Sequence, residues 1–276
     1  MEKQAHYIKR IEIDALWGRL HIDWELRPDV NILSGINGMG KSTILRHSVD
    51  QLDRLSGKIR NGNTFGVHIT FDDPEATYIP YDVIRSYDRP LPIGDFTTRV
   101  SDAIIRSELD WQLYQLQRRY LDYQVNIANR MIELLNSGEE QQREQAANLS
   151  RNKQRFYDLV DELFGYTGKV IDRKRNDIAF YQHGDLLCPD KLSSGEKQML
   201  VIMLTVLVQD GSHTVLFMDE PEASLHIEWQ QRLISILMEL NPNVQLIIST
   251  HSPAVIMEGW LDAVTEVSDI STPVES

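Results

Sequence analysis

The chain has 276 residues, 42% of them hydrophobic, and its 41 acidic residues outnumber 28 Lys and Arg for a formal net charge of −13. That apolar content supplies a buried core, while the acidic balance argues against a broad, sequence-independent grip on DNA, which needs basic side chains to neutralise phosphates. The longest apolar run, 199–208, is too short to cross a bilayer, the N-terminus lacks a secretory apolar stretch, and the single Cys188 excludes an intrachain disulfide, so the expectation is a cytoplasmic protein with no membrane association and a buried or neutral thiol.

Residues 7–13, 21–26 and 30–34 alternate as short strands bounded by turns. The third ends at Gly35, and from Lys41 to residue 55 apolar residues recur at helical spacing, so strand, glycine-rich loop and helix succeed one another. Strand-like runs come next at 64–71 and 77–84, the second demoted to an edge strand by Pro80, with a Pro-containing loop around Pro90 and Pro92.

From about residue 101 a long helix is expected, carrying Leu109, Leu113, Leu116, Tyr120, Tyr123, Ile127, Met131 and Leu134 at near-heptad spacing. Asn136, Ser137 and Gly138 break it, and a Gln-rich second helix runs to about residue 164. Two readings of this hairpin stand: a helical subdomain packed on the core, or a short protruding arm. Short strands at 169–172 and 177–182 come next. A helix at 194–209, a strand at 214–218, a helix at 224–240 and a strand at 244–249 then restore the alternation of a parallel sheet covered by helices. The expected division is 1–100 and 167–270 for the two halves of one α/β lobe, 101–166 for the helical insert and 271–276 for a disordered tail.

Gly35, Asn37, Gly38, Gly40, Lys41, Ser42 and Thr43 lie within a segment that fits G-x-x-x-x-G-K-[ST] at every fixed position, between a strand and a helix. Its glycines turn backbone N–H groups toward phosphate oxygens, and the helix N-terminus adds partial positive charge. Lys41 would reach the β- and γ-phosphates of ATP, and the Ser42 hydroxyl would ligate Mg²⁺. An apolar run from residue 214 ends in Asp219 and Glu220 before Pro221, giving Asp219 as a Mg²⁺ ligand and Glu220 as general base. Alone, this pair would read as acids solvating a strand end. His251, just past another buried strand, would touch the γ-phosphate or the attacking water. Ser193-Ser194-Gly195-Glu196 opens the helix from 194, where ordinary capping explains the residues equally well.

The ordered set of P-loop, Leu192-Ser-Ser-Gly-Glu196, Asp219-Glu-Pro221 with Ser224-Leu-His226, and Thr250-His-Ser252 resembles ABC-type P-loop ATPase heads. Within them it is most similar to the soluble branch of SMC, RecF-like and OLD-nuclease ATPases. The resemblance implies an α/β fold, with a mostly parallel sheet flanked by helices, an antiparallel N-terminal β subdomain and the inserted helical hairpin. It also implies an ATP-dependent homodimer in which Ser194 and Gly195 of one copy bind the ATP held by the other, and Ser224 touches the facing site. The same resemblance implies ATP hydrolysis, and a compact motor or sensor component of a bacterial defence or repair system with an effector subunit such as a nuclease.

Two departures stand out. The Gln that such heads place after the P-loop has only Asp88 as a stand-in, and the Arg of the first hairpin is represented by Arg19, displaced by one or two positions. Three alternatives stay open: a nucleotide-gated scaffold with little hydrolysis, a transporter ATPase subunit, and DNA binding through Arg118-Arg119 or Arg173-Lys-Arg175, which the net charge does not favour.

Overall fold

The computed structural model describes residues 3–58, 66–85, 105–136, 140–257 and 259–274. Along the chain run β1 (Ile8–Leu16), β2 (Leu20–Glu25), β3 (Val30–Ser34), α1 (Lys41–Leu55), β4 (Val67–Phe71), β5 (Tyr81–Arg85), α2 (Glu108–Asn136), α3 (Glu140–Leu149) and α4 (Arg151–Phe164). They continue with β6 (Lys169–Ile171), β7 (Phe180–Gln182), β8 (Asp185–Leu187), α5 (Ser194–Leu207), β9 (Thr214–Asp219), α6 (Ile227–Leu240), β10 (Val244–Ser249), α7 (Pro253–Met257), β11 (Val264–Glu266) and β12 (Ser271–Pro273). The chain divides into two compact units, Met1–Ser86 with Gly211–Ile234 and Pro242–Ser276, and Tyr87–Asp210 with Ser235–Asn241.

The first unit holds two sheets. One is parallel, in the order β11-β3-β10-β9-β5, and the other antiparallel, in the order β12-β2-β1-β4. β10 is buried at every residue and β9 at all but its last, the continuous apolar burial of strands covered on both faces. The α/β class expected from the sequence is the observed one. Ile11, Ile22 and Trp24 of the antiparallel sheet, Ile44 and Leu45 of α1, and Phe217 and Ile247 of the parallel sheet share one apolar cluster. Strand register aligns the site: Ser249 pairs with both Asp219 and Leu33, so the C-terminal ends of β3, β10 and β9 lie side by side.

Pro80 acts as expected: β5 begins only after it and lies at the sheet edge, while the Pro80 carbonyl accepts from the Val215 N–H at 3.0 Å. The disordered tail is corrected. Residues 271–273 pair with β2 as β12, Ile270 O accepts from Asp23 N at 2.9 Å, and Val274 N donates to Arg19 O at 2.9 Å. A polar composition there reflects a strand at the open edge of a sheet, where only backbone pairing is required. Strands β8 and β11 were not anticipated, because three residues are too few to show alternation. Residues 64–65, the loop at Pro90 and Pro92, Asp88, the helix start at 101 and the break at Ser137 and Gly138 lie outside the described residues.

In the second unit α2 presents Leu109, Leu113, Leu116, Tyr120, Tyr123 and Ile127 as one buried stripe and packs on α3 and α5. That favours the packed-subdomain reading of the hairpin. The hydroxyls of Tyr120 and Tyr157 satisfy each other at 2.5 Å inside this core, as buried polar groups must. The second helix of the hairpin is two, α3 and α4, divided at Ser150. Cys188 is exposed, not buried.

Candidate nucleotide site

β3 delivers the chain into the P-loop, where Gly35, Gly38 and Gly40 all have positive φ (143°, 86° and 98°), a region L-residues adopt only at a cost. Gly40 is doubly constrained: a Cβ there would lie 2.8 Å from Cη2 of Trp17. Gly40 is also the N-cap of α1, whose first turn carries no acidic residue, so the N–H groups of that turn suit an anion. Lys41 is buried, and its ammonium donates to the carbonyls of Gly35 (2.8 Å) and Ile36 (3.3 Å). Burial lowers its pKa, against the opposing pull of Glu220, Asp219 and Glu222. Asn37 and Gly38 are exposed at the loop crown, and Thr43 is half-buried on α1.

The second cluster forms because three strand ends coincide. Oδ1 of Asp219 accepts from the Ser42 hydroxyl at 2.9 Å and from the Ser249 hydroxyl. A hydroxyl from the P-loop helix and a carboxylate from β9 are therefore already together, the hard oxygen donors that suit Mg²⁺ with phosphate oxygens and water completing its shell. Among the described residues no group of three or more His, Cys, Asp or Glu could hold a metal unaided. The donor set thus fits a metal that arrives with a polyphosphate.

Beyond Asp219 the backbone turns sharply. Glu220 has φ of +49°, uncommon for a residue with a side chain, and its N–H donates to Ser249 O at 2.8 Å. Its Oε1 lies 3.5 Å from Nε2 of His251, both side chains being about one-third exposed (28% and 34%). Glu222 forms a latch: one carboxylate oxygen accepts from the Thr250 hydroxyl and from the His251 N–H, the latter at 3.1 Å. Gln230 ties the same loops together, accepting from the Ser252 hydroxyl at 2.6 Å and donating to Leu225 O at 2.9 Å. Ser224 is exposed in the turn before α6.

In the second unit Ser193 caps α5 in a full capping box with Glu196. The buried Glu196 carboxylate accepts from Ser193 N, the Ser193 hydroxyl, the Thr167 hydroxyl and Lys169 Nζ, each at 2.9 Å. Capping chemistry is therefore present, and Ser193 and Glu196 carry it, which leaves Ser194 exposed and Gly195 half-buried at the helix start. Lys197 is fixed by Asp110 at 2.7 Å.

The structure brings Lys41, Ser42, Asp219, Glu220 and His251 into one neighbourhood of the first unit. Sequence reasoning missed Ser249, Glu222 and Trp17. Ser249 and Glu222 act through side-chain hydrogen bonds that have no motif of their own. Trp17 was legible in Leu16-Trp-Gly-Arg19, where Arg19 was the expected phosphate neighbour; the indole, at φ +55°, is the group that meets the P-loop, while Arg19 is exposed.

Residues 75–258 match the family described as "AAA domain, putative AbiEii toxin, Type IV TA system". The matched segment is about two thirds of the chain. The chain belongs to this family. The segment contains Ser194, Asp219, Glu220 and His251 and begins after the P-loop. The AAA-family chain is 28% identical over 99 residues to "Retron Vc95 probable ATPase" of Vibrio cholerae serotype O1 biovar El Tor, covering 32% of this chain and 19% of that one. It is 30% identical over 122 residues to "Retron Ec83 probable ATPase" of Escherichia coli, covering 38% and 22%. It therefore spans about a fifth of the length of these two relatives. Phosphate import ATP-binding protein PstB of Thermococcus kodakarensis is 24% identical over 257 residues, 90% of this chain and 81% of that one. A crystal structure of an Smc head bound to the C-winged helix domain of ScpA superposes with a TM-score of 0.51 at 15% identity over 97% of both chains, a likeness of fold. Together these place the chain in the AAA family and give it the fold of an SMC head.

Proposed function

We propose that this AAA-family chain binds ATP with Mg²⁺ through Gly35, Asn37, Gly38, Gly40, Lys41, Ser42 and Thr43 and hydrolyses it to ADP and phosphate as an ATP-closed homodimer. The observation that carries the reading is the Asp219 carboxylate joined to Ser42 and Ser249, with Glu220 and His251 beside it. Mg²⁺ held by Ser42 and Asp219 would supply charge neutralisation at the phosphates. On nucleotide binding Lys41 exchanges its loop carbonyls for phosphate oxygens. Glu220 takes a proton from the attacking water, and His251 holds that carboxylate in place while the γ-phosphoryl group passes to the water oxygen. Ser194 and Gly195 of one copy, with Ser224, contact the nucleotide of the other.

The names of the retron relatives support a place in bacterial defence, with the dimer as motor or sensor for an effector subunit such as a nuclease. A nucleotide-gated scaffold is the second reading, since the sequence offers no clear Gln for the water-positioning role. The phosphate-import relative keeps a transporter subunit as a third, in which a polytopic membrane protein would co-purify. DNA binding is disfavoured further: Arg173 pairs with Asp158 and Asp161, and Arg175 with Asp177, so that cluster carries little uncompensated charge.

The test compares wild type with Glu220→Gln for ATP turnover and for mass with ATP. Loss of turnover with an ATP-stabilised dimer in the variant supports the reading. Undiminished turnover in Glu220→Gln removes the assigned base, and a wild-type rate at background with nucleotide-dependent dimers selects the scaffold.

A further inference from the structure

α2 carries two apolar stripes, and among the described residues only one of them is buried. The buried stripe through Leu116, Tyr120, Tyr123 and Ile127 faces its own unit. The second, Leu121, Val125, Ala128, Ile132 and Leu135, is displaced from the first by one residue, roughly 100° around the helix. Its spacing of four, three, four and three is a strict heptad seam. Leu121, Val125, Ile132 and Leu135 are 40%, 57%, 56% and 50% exposed, and Ala128 is exposed with them. Such a run of large apolar side chains on one helix face is more than scattered surface hydrophobicity.

The residue types at this seam say what covers it. With Val125 and Ile132 at a, the d positions are Leu121, Ala128 and Leu135. β-Branched residues at a with Leu at d is the pattern of a parallel two-stranded coiled coil. The preceding a position is Arg118, whose guanidinium sits 5.7 Å from the Tyr114 ring. A single polar a residue of this kind pins the register, because any stagger would bury it among apolar partners. The flanking e and g positions from residue 117 to 136 are Gln117, Asp122, Gln124, Asn129, Met131 and Asn136. In parallel pairing g meets the next e of the other helix, so Asp122 faces Gln117 and no like charges oppose at the e and g positions. A helix identical to α2 thus meets one like-charge layer, Arg118 against its own copy at the N-terminal end of the seam, and neutral flanks along the rest; a two-fold axis alongside the helix makes the two copies parallel.

We infer that the exposed seam of α2 pairs with α2 of a second copy of this chain as a parallel, in-register coiled coil, forming a nucleotide-independent homodimer contact. The contact spans about 22 Å at ~1.5 Å per residue. It does not use the ATP site, so it stands or falls separately from the hydrolysis reading.

The experiment uses the full chain without nucleotide, in a Cys188→Ser background because the native thiol is exposed. In-register parallel pairing places each d residue against its own copy, so Leu121→Cys and Leu135→Cys should each oxidise alone to a covalent dimer. Val125→Glu with Ile132→Glu should shift the sedimentation mass from dimer to monomer while the helical circular dichroism is kept. ATP-driven dimerisation of Glu220→Gln should survive those two charges, which separates this contact from the nucleotide-dependent one. A monomeric nucleotide-free wild type at micromolar concentration overturns the inference. So does cross-linking only when the two cysteine variants are mixed, which means antiparallel pairing, or a dimer mass unmoved by the glutamates.

Discussion

The hydroxyl of Ser42 donates to Oδ1 of Asp219 at 2.9 Å across 177 positions of sequence, joining the first turn of α1 to the end of β9. Ser249 donates to the same oxygen from the neighbouring strand. Two donors on one oxygen order the carboxylate and the hydroxyl before any ligand is bound, which lowers the reorganisation needed when one is.

Ser42→Ala removes a proposed metal ligand but leaves Asp219 hydrogen-bonded to Ser249. Thermal stability should fall by no more than about 1 kcal/mol, whereas Mg²⁺-dependent ATP turnover should fall on the order of 10²-fold. Calorimetry alongside a phosphate-release assay checks both; equal loss in the two would assign Ser42 a purely structural role.

Gly40→Ala combines a left-handed backbone with a steric conflict against Trp17. The backbone term costs about 1–2 kcal/mol for an L-residue. Adding Trp17→Ala should recover the larger share of the steric part, the contact of Leu16 Cδ2 at 3.1 Å remaining. Nucleotide affinity and melting temperature of the single and double variants measure the two parts, and full recovery in the double variant would show that φ at Gly40 is not limiting.

Glu222 touches His251 only through the backbone N–H and the Thr250 hydroxyl, so it is a positioning residue. Glu222→Ala should lower kcat about tenfold or more, as misplacement of a reacting group does, with little change in KM for ATP. Glu222→Gln keeps the accepting oxygen and should restore most of the rate. A rise in KM with kcat intact would point instead to a role in nucleotide binding.

Burial raises the pKa of the Glu196 carboxyl, but Lys169, Ser193 and Thr167 outweigh it and hold the group below its usual range. A depressed carboxyl pKa contributes stability that is complete above the unfolded value of about 4.5 and is lost as pH falls through the folded value. Denaturant unfolding at pH 6 and across the acid range should show that loss in wild type. Glu196→Ala, which strands Lys169 in a site where the two side chains are only 10% and 4% exposed, should cost about 3–5 kcal/mol at pH 6 and lose this acid dependence. An unchanged acid slope in the variant would locate the titrating group elsewhere.

Local chemistry made much of this protein readable in advance. Gly35 to Thr43 announces itself because its glycines, one Lys and a hydroxyl fall at the spacing of the proposed phosphate loop, and continuous apolar runs at β9 and β10 announce strands buried on both faces. The buried stripe of α2 was visible for the same reason, as periodicity is a property of neighbours in sequence. Long-range pairing was not visible. That Ser249 and Ser42 share one oxygen of Asp219, that Glu222 latches Thr250 and His251, and that Trp17 caps Gly40 all result from strand register, which no local pattern encodes. The tail shows the limit most clearly: residues 271–273 have the composition of a loop, and only the open edge of β2, with its unpaired backbone groups, makes them a strand.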